Sequence, residues 1–287
     1  VGFVSALRGV LSGRVRDVGD RISMHHLPRR GEPTFPGSNA HAVHRRRSVD
    51  DVTRLNVNSH QPWEGPVTWY EAHVRSKQGW NALGGIFPGS PVILHGHNEQ
   101  LGWAHTVNQP DLVDVYRLDM NPDAPLQYRF AGAWHPLTVK RAPITVDTGL
   151  FEVTVHRDVY FSIHGPVLKT DTGFFAVRYA GHDGLVQAPE QWLKMNKAHN
   201  LQEFKAAMRM LAIPMFNTVY ADRDNIYYVY NARLPARSDG FDYQKVLPGG
   251  DPRTLWNSYL PYERLPQVEN PPAGFVQSCN STPFSAT

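Results

Sequence analysis

The sequence holds a single cysteine. With only Cys279 in 287 residues, no disulfide can close within the chain and no set of thiols is spaced to hold a metal. Long apolar runs are missing as well. No stretch approaches the roughly 20 residues that a bilayer-crossing helix requires, and Val1 to Gly13 lack the apolar core of a signal peptide. Neither sign of charge prevails: 29 lysines and arginines stand against 26 aspartates and glutamates, a balance that calls for no polyanionic partner. Arg45-Arg46-Arg47, the densest basic run, has no aromatic-interleaved motif or zinc-finger spacing beside it, so it reads as solvated surface and not as a nucleic-acid contact. Internal repeats and low-complexity segments are also absent.

What is present suffices for a packed fold, with 41% hydrophobic and 19% charged residues. Residues 1–37 are Arg- and Gly-rich, follow neither a helix nor a strand period, and are expected to be a spacer. From Ser38 onward, short apolar runs alternate with Gly, Pro and Asn, the pattern of many strands. Strands are expected at Val92-Ile93-Leu94, Val113 to Leu118, the alternating Phe151, Val153 and Val155, Phe174 to Tyr179, and Ile226 to Tyr230. Asn200 followed three residues on by Glu203 is a capping-box start, and Leu201, Phe204, Ala207, Met208 and Leu211 share one helical face that Pro214 should end. A second helix is expected over Pro189 to Lys197.

Chemistry enters through the order of several short motifs. Gly37-Ser38-Asn39-Ala40 is followed by Asn58-Ser59-His60-Gln61-Pro62-Trp63, Trp69-Tyr70-Glu71-Ala72-His73 and Phe87-Pro88-Gly89-Ser90-Pro91. Then come His95-Gly96-His97-Asn98, Gly102-Trp103-Ala104-His105-Thr106-Val107-Asn108, Asp111-Leu112-Val113-Asp114-Val115-Tyr116 and, near the end, Asn280-Ser281-Thr282-Pro283. Each alone is a weak signal; Gly37-Ser38 by itself would be a turn. In this order they resemble the catalytic chain of the penicillin acylase family, nearest its acyl-homoserine-lactone and aculeacin acylase branch, and the resemblance runs from Ser38 to Thr287.

The resemblance implies an α+β fold, part of the four-layer αββα sandwich of N-terminal-nucleophile hydrolases with a large β-rich insertion. It implies that Ser38 becomes N-terminal by self-cleavage after Gly37. A glycine carbonyl has no flanking Cβ to obstruct the neighbouring hydroxyl, and the freed α-amine, with an ordinary pKa of about 7.7 to 8.0, can act as general base. Val107 (backbone N–H) and Asn280 (side-chain amide) would donate to the oxyanion, His60 would lie beside the amine, and Gln61, Leu94 and His105 would line the acyl pocket. Asp111, Asp114 and the carbonyls of Val113 and Pro235 match a calcium segment, an incomplete set for an ion that takes six to eight oxygens. His95 and His97 have no third ligand in a recognisable motif, which argues against zinc. No organic cofactor is required.

The expected reaction is hydrolysis of the linear amide of an N-acylated small molecule, such as an acyl-homoserine lactone, a lipopeptide or a β-lactam. The His60-Gln61-Pro62-Trp63 motif favours a fatty-acyl amide. Residues 38–287 then form the N-terminal part of a catalytic β-chain, with an upstream α-chain of the same precursor as partner and a periplasmic or secreted location. Two features depart from the family pattern: His41 where an aromatic is usual, and Ser48 to Thr53 where a Gly–Pro turn is usual. Two rival readings remain, a non-catalytic relative that is never cut, and a β-rich carbohydrate-binding module suggested by seven Trp and twelve Tyr. The module requires aromatics exposed on one strand face, whereas Trp63, Trp69 and Trp103 are expected inside.

Overall fold

The computed structural model describes residues 37–281 apart from 66, 148, 150 and 182–184. The expected spacer up to residue 36 lies outside the described residues. Strands β1 (Asn39–Val43), β2 (Arg54–Asn58), β3 (Tyr70–Ser76), β4 (Trp80–Ile86), β5 (His95–His97) and β6 (Leu101–Thr106) come first. Next are β7 (Val113–Arg117), β8 (Asp119–Met120), β9 (Gln127–Phe130), β10 (Ala133–Pro136), β11 (Thr138–Asp147), β12 (Glu152–Ser162), β13 (Gly165–Thr170) and β14 (Gly173–Tyr179). Helices α1 (Ala188–Lys197) and α2 (Leu201–Met208) precede β15 (Asn217–Asp222), β16 (Ile226–Tyr230), β17 (Leu247–Pro248), β18 (Gln267–Glu269) and β19 (Phe275–Ser278). Many strands and few helices make this the α+β architecture expected.

The chain divides into two compact units, one formed by 111–180 with 235–258 and the other by the flanking segments. In the flanking unit a seven-stranded sheet runs β18-β16-β15-β6-β5-β4-β3, and a three-stranded sheet runs β19-β1-β2. Side-chain alternation explains the layering. Along β6, Trp103 joins a core with Met195, Phe204 and Met208 of the helices, while Ala104 joins a second core with Ala40 and Ala42 of β1 and Val276 of β19. The middle sheet is therefore covered on both faces, giving helix, sheet and sheet in succession. Burying each large apolar side chain there contributes roughly 1.5–3 kcal/mol.

The capping box at α2 forms: Asn200 Oδ1 accepts the Glu203 N–H at 2.9 Å, and Glu203 Oε2 accepts the His199 N–H at 2.9 Å. The helix nevertheless stops at Met208, before Pro214, because Leu211 adopts a left-handed backbone with φ 48°. Val92 to Leu94 is not a strand either. Asn196 supplies what a neighbouring strand would have supplied, donating from Nδ2 to the Ile93 carbonyl at 2.8 Å and accepting the Ile93 N–H at 3.1 Å. Apolar content alone could not reveal a side chain in that role. The other expected strands correspond to β7, β12, β14 and β16, with Leu118 just past the end of β7 and Phe151 just before the start of β12.

In the unit formed by 111–180 with 235–258, a sheet runs β11-β12-β13-β14-β7-β17 beside the small β10-β9-β8 sheet. Its core gathers Tyr116, Leu118, Tyr128, Leu137, Val167, Ala176 and Leu247. The basic run Arg45 to Arg47 is not simply solvated. Arg45 pairs with Asp51 at 2.5 Å and Asp224 at 2.7 Å, and Arg46 and Arg47 donate to the carbonyls of Pro271 and Ala273. The atypical turn after it is held by Asp50, which pairs with Arg54 at 2.5 Å.

Candidate active site

Strand register brings the motif residues together. β1 pairs antiparallel with β19, Ala40 facing Ser278, and with β2, Asn39 facing Asn58. Continued two residues toward the start of β1, the first ladder sets position 38 opposite position 280. The second sets 38 opposite 59 and 37 opposite 60. Segments far apart in sequence thus meet at the end of one three-stranded sheet, and Ser38 is buried there. His41, on the next turn of the alternation from the buried Ala40 and Ala42, points outward and is exposed.

Asn280 sits at φ 64°, a left-handed conformation that asparagine tolerates better than most residues. Its Nδ2 donates to the Val107 carbonyl at 2.7 Å, which joins the two expected oxyanion donors and leaves that amide a second N–H. Its Oδ1 is buried without a partner. A Cβ added at Gly37 would lie 3.1 Å from that Oδ1, so glycine at 37 leaves this oxygen room beside the Gly37–Ser38 junction. Val107 lies just past the last paired residue of β6. Asn108, on its far side, accepts the Phe216 N–H at 2.8 Å and donates to the Asn231 carbonyl at 2.9 Å. That contact holds Phe216 at φ 99°, an unfavourable backbone for a bulky residue. His60 has a buried Nδ1 with no partner.

A cavity of about 240 Å³ opens beside Ser38 and is lined by Ser59, Gln61, Trp69, Phe87, Leu94, His95, His105, Val107, Trp192 and Phe216. It gathers Ser38, Val107, Gln61, Leu94 and His105 in one place; His60 and Asn280 lie outside its lining. Sequence reasoning missed the aromatic walls. Trp69 stacks on Phe87 with centroids 4.1 Å apart and meets His95 edge-on at 4.8 Å. Trp69 did stand in a quoted motif, but nothing in the spacing tied Trp192 on α1 to the same wall. His95 reaches the cavity because β4 and β5 approach closely across Gly84 and Gly96, where a Cβ on either would fall 1.9 or 2.1 Å from an opposing carbonyl oxygen.

The two histidines are spoken for internally. His105 Nε2 faces the Trp192 indole N–H at 3.1 Å, and indole only donates, so Nε2 accepts and Nδ1–H is left to donate to Thr218 Oγ1 at 3.0 Å. His95 Nδ1 accepts the His105 backbone N–H at 3.1 Å and lies 3.2 Å from Ser59 Oγ. Burial lowers His105 to about 4 and holds His95 well below the ordinary imidazole value. Both rings are neutral at neutral pH, so they place no charge in the pocket. His97, two residues along, is exposed and bonds the Asn98 carbonyl at 3.0 Å. The pair therefore does not converge, and among the described residues no cluster of three or more His, Cys, Asp or Glu could hold a metal.

The penicillin amidase family model matches residues 6–287. The chain belongs to the penicillin amidase family. It is 32% identical over 195 residues to an acyl-homoserine lactone acylase PvdQ of Pseudomonas fluorescens (strain Pf0-1), covering 65% of this chain and 25% of that protein. Against the penicillin G acylase of Escherichia coli the identity is 29% over 245 residues, covering 83% of this chain and 28% of that protein. The fold matches the thermostable penicillin G acylase from Alcaligenes faecalis with a TM-score of 0.78 at 27% identity, over 87% of this chain and 45% of that one. The chain spans about a quarter of the length of these two curated relatives.

Within this family member the acidic segment does not fit a divalent cation. Asp114 is buried, and its oxygens receive Arg237 Nε and Nη2 at 3.0 Å each and the Trp256 indole N–H at 2.5 Å. Arg237 Nη1 reaches Asp111 at 2.9 Å. A guanidinium already neutralises both carboxylates. Val113 stands opposite Tyr179 in the β7–β14 register, and Pro235 is buried. Trp63, expected inside, is 96% exposed, while Trp103 is fully buried. Trp63 lies outside any strand, so it provides no aromatic strand face of the kind a carbohydrate module requires.

Proposed function

We propose that this chain carries the catalytic centre of an acylase, an amide hydrolase that cleaves the linear amide of an N-acylated small molecule through a serine acyl-enzyme. The observation that supports it most is the conjunction at Ser38: one small apolar cavity shared with Val107, and a preceding glycine facing the unpartnered Oδ1 of Asn280. In self-cleavage, Ser38 Oγ attacks the Gly37 carbonyl carbon and the Gly37 acyl group passes from nitrogen to oxygen. Water then hydrolyses that ester, freeing the hydroxyl and the α-amine together.

In turnover the amine takes the Oγ proton as Oγ adds to the substrate carbonyl. The oxyanion is met by the Val107 N–H and the second N–H of the Asn280 amide. The C–N bond breaks, the leaving amine carries the proton away, and water hydrolyses the acyl-serine. His60, at the register position opposite Gly37, has a spare Nδ1 for the region of the amine. At about 240 Å³ the pocket is smaller than the roughly 300–1,000 Å³ of a whole-ligand site, so it receives the acyl group and leaves the amine portion outside. Gln61, Leu94 and His105 contribute to its wall. A periplasmic or secreted location accompanies this reading. Calcium has no part in it.

The test is Ser38→Ala in the full-length protein, read by intact mass and by hydrolysis of an acyl-homoserine lactone series and a phenylacetyl amide. The expected outcome is an uncut chain with no turnover, against a wild type bearing a new N-terminus at Ser38. Turnover by the variant, or an active wild type uncut at Ser38, overturns the reading.

A further inference from the structure

Val107 and Asn280 lie just past the ends of β6 and β19, strands of different sheets, and no backbone ladder joins them. β6 lies in the seven-stranded sheet and β19 in the three-stranded one. Between the sheets lie Ala40, Ala42, Ala104, Val219 and Val276, whose contacts are non-directional and set no fine register along the strands. The Asn280 Nδ2–Val107 carbonyl bond joins the two residues directly, but one side-chain bond alone lets the two backbones shift past one another by fractions of an ångström. Catalytic geometry does not tolerate that.

A buried directional link crosses the gap behind that bond. Thr106, the last residue of β6, points to the same side as Ala104, and its Oγ1 lies 2.7 Å from Ser278 Oγ, the last residue of β19. Both side chains are buried. Thr106 is adjacent to Val107, and Ser278 is two residues before Asn280, so the link sits directly behind both donors. It is itself anchored: Asn217 Nδ2 donates to Thr106 Oγ1 at 3.1 Å, and the Tyr228 hydroxyl donates to Asn217 Oδ1 at 2.8 Å. Separating the two hydroxyls would leave a buried polar atom unsatisfied, at a cost of about 1–3 kcal/mol, so sliding is resisted in every direction.

We infer that the Thr106–Ser278 hydroxyl pair is a register pin, and that Thr106 and Ser278 are positioning residues which hold the Val107 N–H and the Asn280 amide in a single oxyanion-binding geometry. This rests on the acylase reading above. Neither hydroxyl touches the substrate; each acts through the backbone of the donor beside it.

The experiment is a double-mutant cycle in the full-length protein, comparing wild type, Ser278→Ala, Thr106→Val and the double variant, with Thr106→Ser as the conservative control and Asn280→Ala as the reference for a lost donor. Each single variant should lower kcat about 10- to 100-fold while KM stays within about twofold, since the acyl pocket is untouched. The double variant should fall no further than the worse single, because one link is lost either way. Thr106→Ser, which keeps the hydroxyl, should restore kcat to within about threefold of wild type. Affinity for an acyl boronic acid, which mimics the charged tetrahedral state, should drop in step with kcat. Additive losses, a Thr106→Ser variant as impaired as Thr106→Val, or kcat unchanged in both single variants overturn the pin. If Asn280→Ala itself keeps wild-type kcat, it is the oxyanion reading that fails; if Asn280→Ala loses activity and the pin variants do not, only the pin fails.

Discussion

In the unit that carries Ser38, β6 and β16 are buried from end to end, whereas in the unit formed by 111–180 and 235–258 the two longest strands, β11 and β12, run almost wholly exposed. The buried polar groups differ in kind as well. Around Ser38 they are neutral and many satisfy one another, His95 with His105, His105 with Thr218 and Trp192, Thr106 with Ser278 and Asn217, while His60 Nδ1 and Asn280 Oδ1 are left without partners. In the other unit the central polar contact is charged, Asp114 against Arg237, and His164 is buried with Nε2 unpartnered. A neutral network positions groups without placing a field in the substrate cavity, and a charged pair ties distant segments but is costly to break. Each unit therefore has its own mode of failure.

The largest effect should come from the charged pair. Arg237→Ala strands a buried carboxylate, and breaking such a pair costs about 3–5 kcal/mol; chemical denaturation should show it as a lower midpoint. Burial already pushes the Asp114 carboxyl up from its ordinary value, with Arg237 pulling against that shift. Arg237→Lys keeps the charge but loses the fork that serves Asp111 and Asp114 together, so it should fall between wild type and the alanine variant. A chelator should leave the wild-type melting temperature unchanged, because the guanidinium holds the place of a cation. A chelator-induced drop would show that the acidic segment binds metal after all.

Next in size is a change in the neutral unit that moves activity and hardly moves stability. Asn280→Ala should lower kcat about 10²- to 10³-fold, the usual cost of one oxyanion donor. Its stability should fall by only about 1 kcal/mol, the penalty for alanine in left-handed backbone. Steady-state kinetics beside thermal melting separates the two, and a large loss of stability with normal kcat would reverse the comparison between the units.

Much of this site was legible in the sequence, for physical reasons that differ from residue to residue. Ser38, Val107, Gln61, Leu94 and His105 lie in motifs near strand ends, and strand register carried them to one cavity. Trp192 and Phe216 were not legible, since a helix-borne ring and a strained loop residue reach the wall through tertiary packing alone. The partnership of Arg237 with Asp111 and Asp114 was equally hidden, because acidic spacing cannot tell whether a metal or an arginine faces it. In the fold, Ile226 to Tyr230 was plain as a strand from its aromatic and β-branched run, whereas Val92 to Leu94 misled because Asn196 stands in for a neighbouring strand.

Acid should stress both units, and unequally. His105 and His164 are each lowered by burial to about 4, and His95 lies well below the ordinary value. In the unfolded chain these imidazoles titrate near 6.5, so between about pH 6.5 and 4 the unfolded state holds protons that the folded state does not. Stability from these groups is therefore fully present above about pH 6.5 and is lost as the pH falls, toward about 4 and by about 3 kcal/mol each for His105 and His164. The unit around Ser38 holds two of them and the other unit one. Hydrogen exchange at pH 6.5 and 4.5, corrected for the intrinsic pH dependence of exchange, should show the greater loss of protection in β6 and β15. Equal loss in β7 and β14 would break the distinction.

The smallest effects should mark the exposed ribbon. Ile144 and Val146 face Val155 and Val153 across β11 and β12, and all four side chains are exposed. Replacing Ile144 or Val155 by threonine keeps β-branching and removes little buried area, so either change should shift stability by no more than about 0.5 kcal/mol. Ala104→Val makes the opposite case in the other unit: two extra methyl groups enter the close contact between sheets, where overpacking costs about 1–3 kcal/mol. Denaturant midpoints for the three variants give the contrast directly. A ribbon substitution as costly as Ala104→Val would mean that this apolar face is buried in solution, and the ribbon would then have to be read as part of a core.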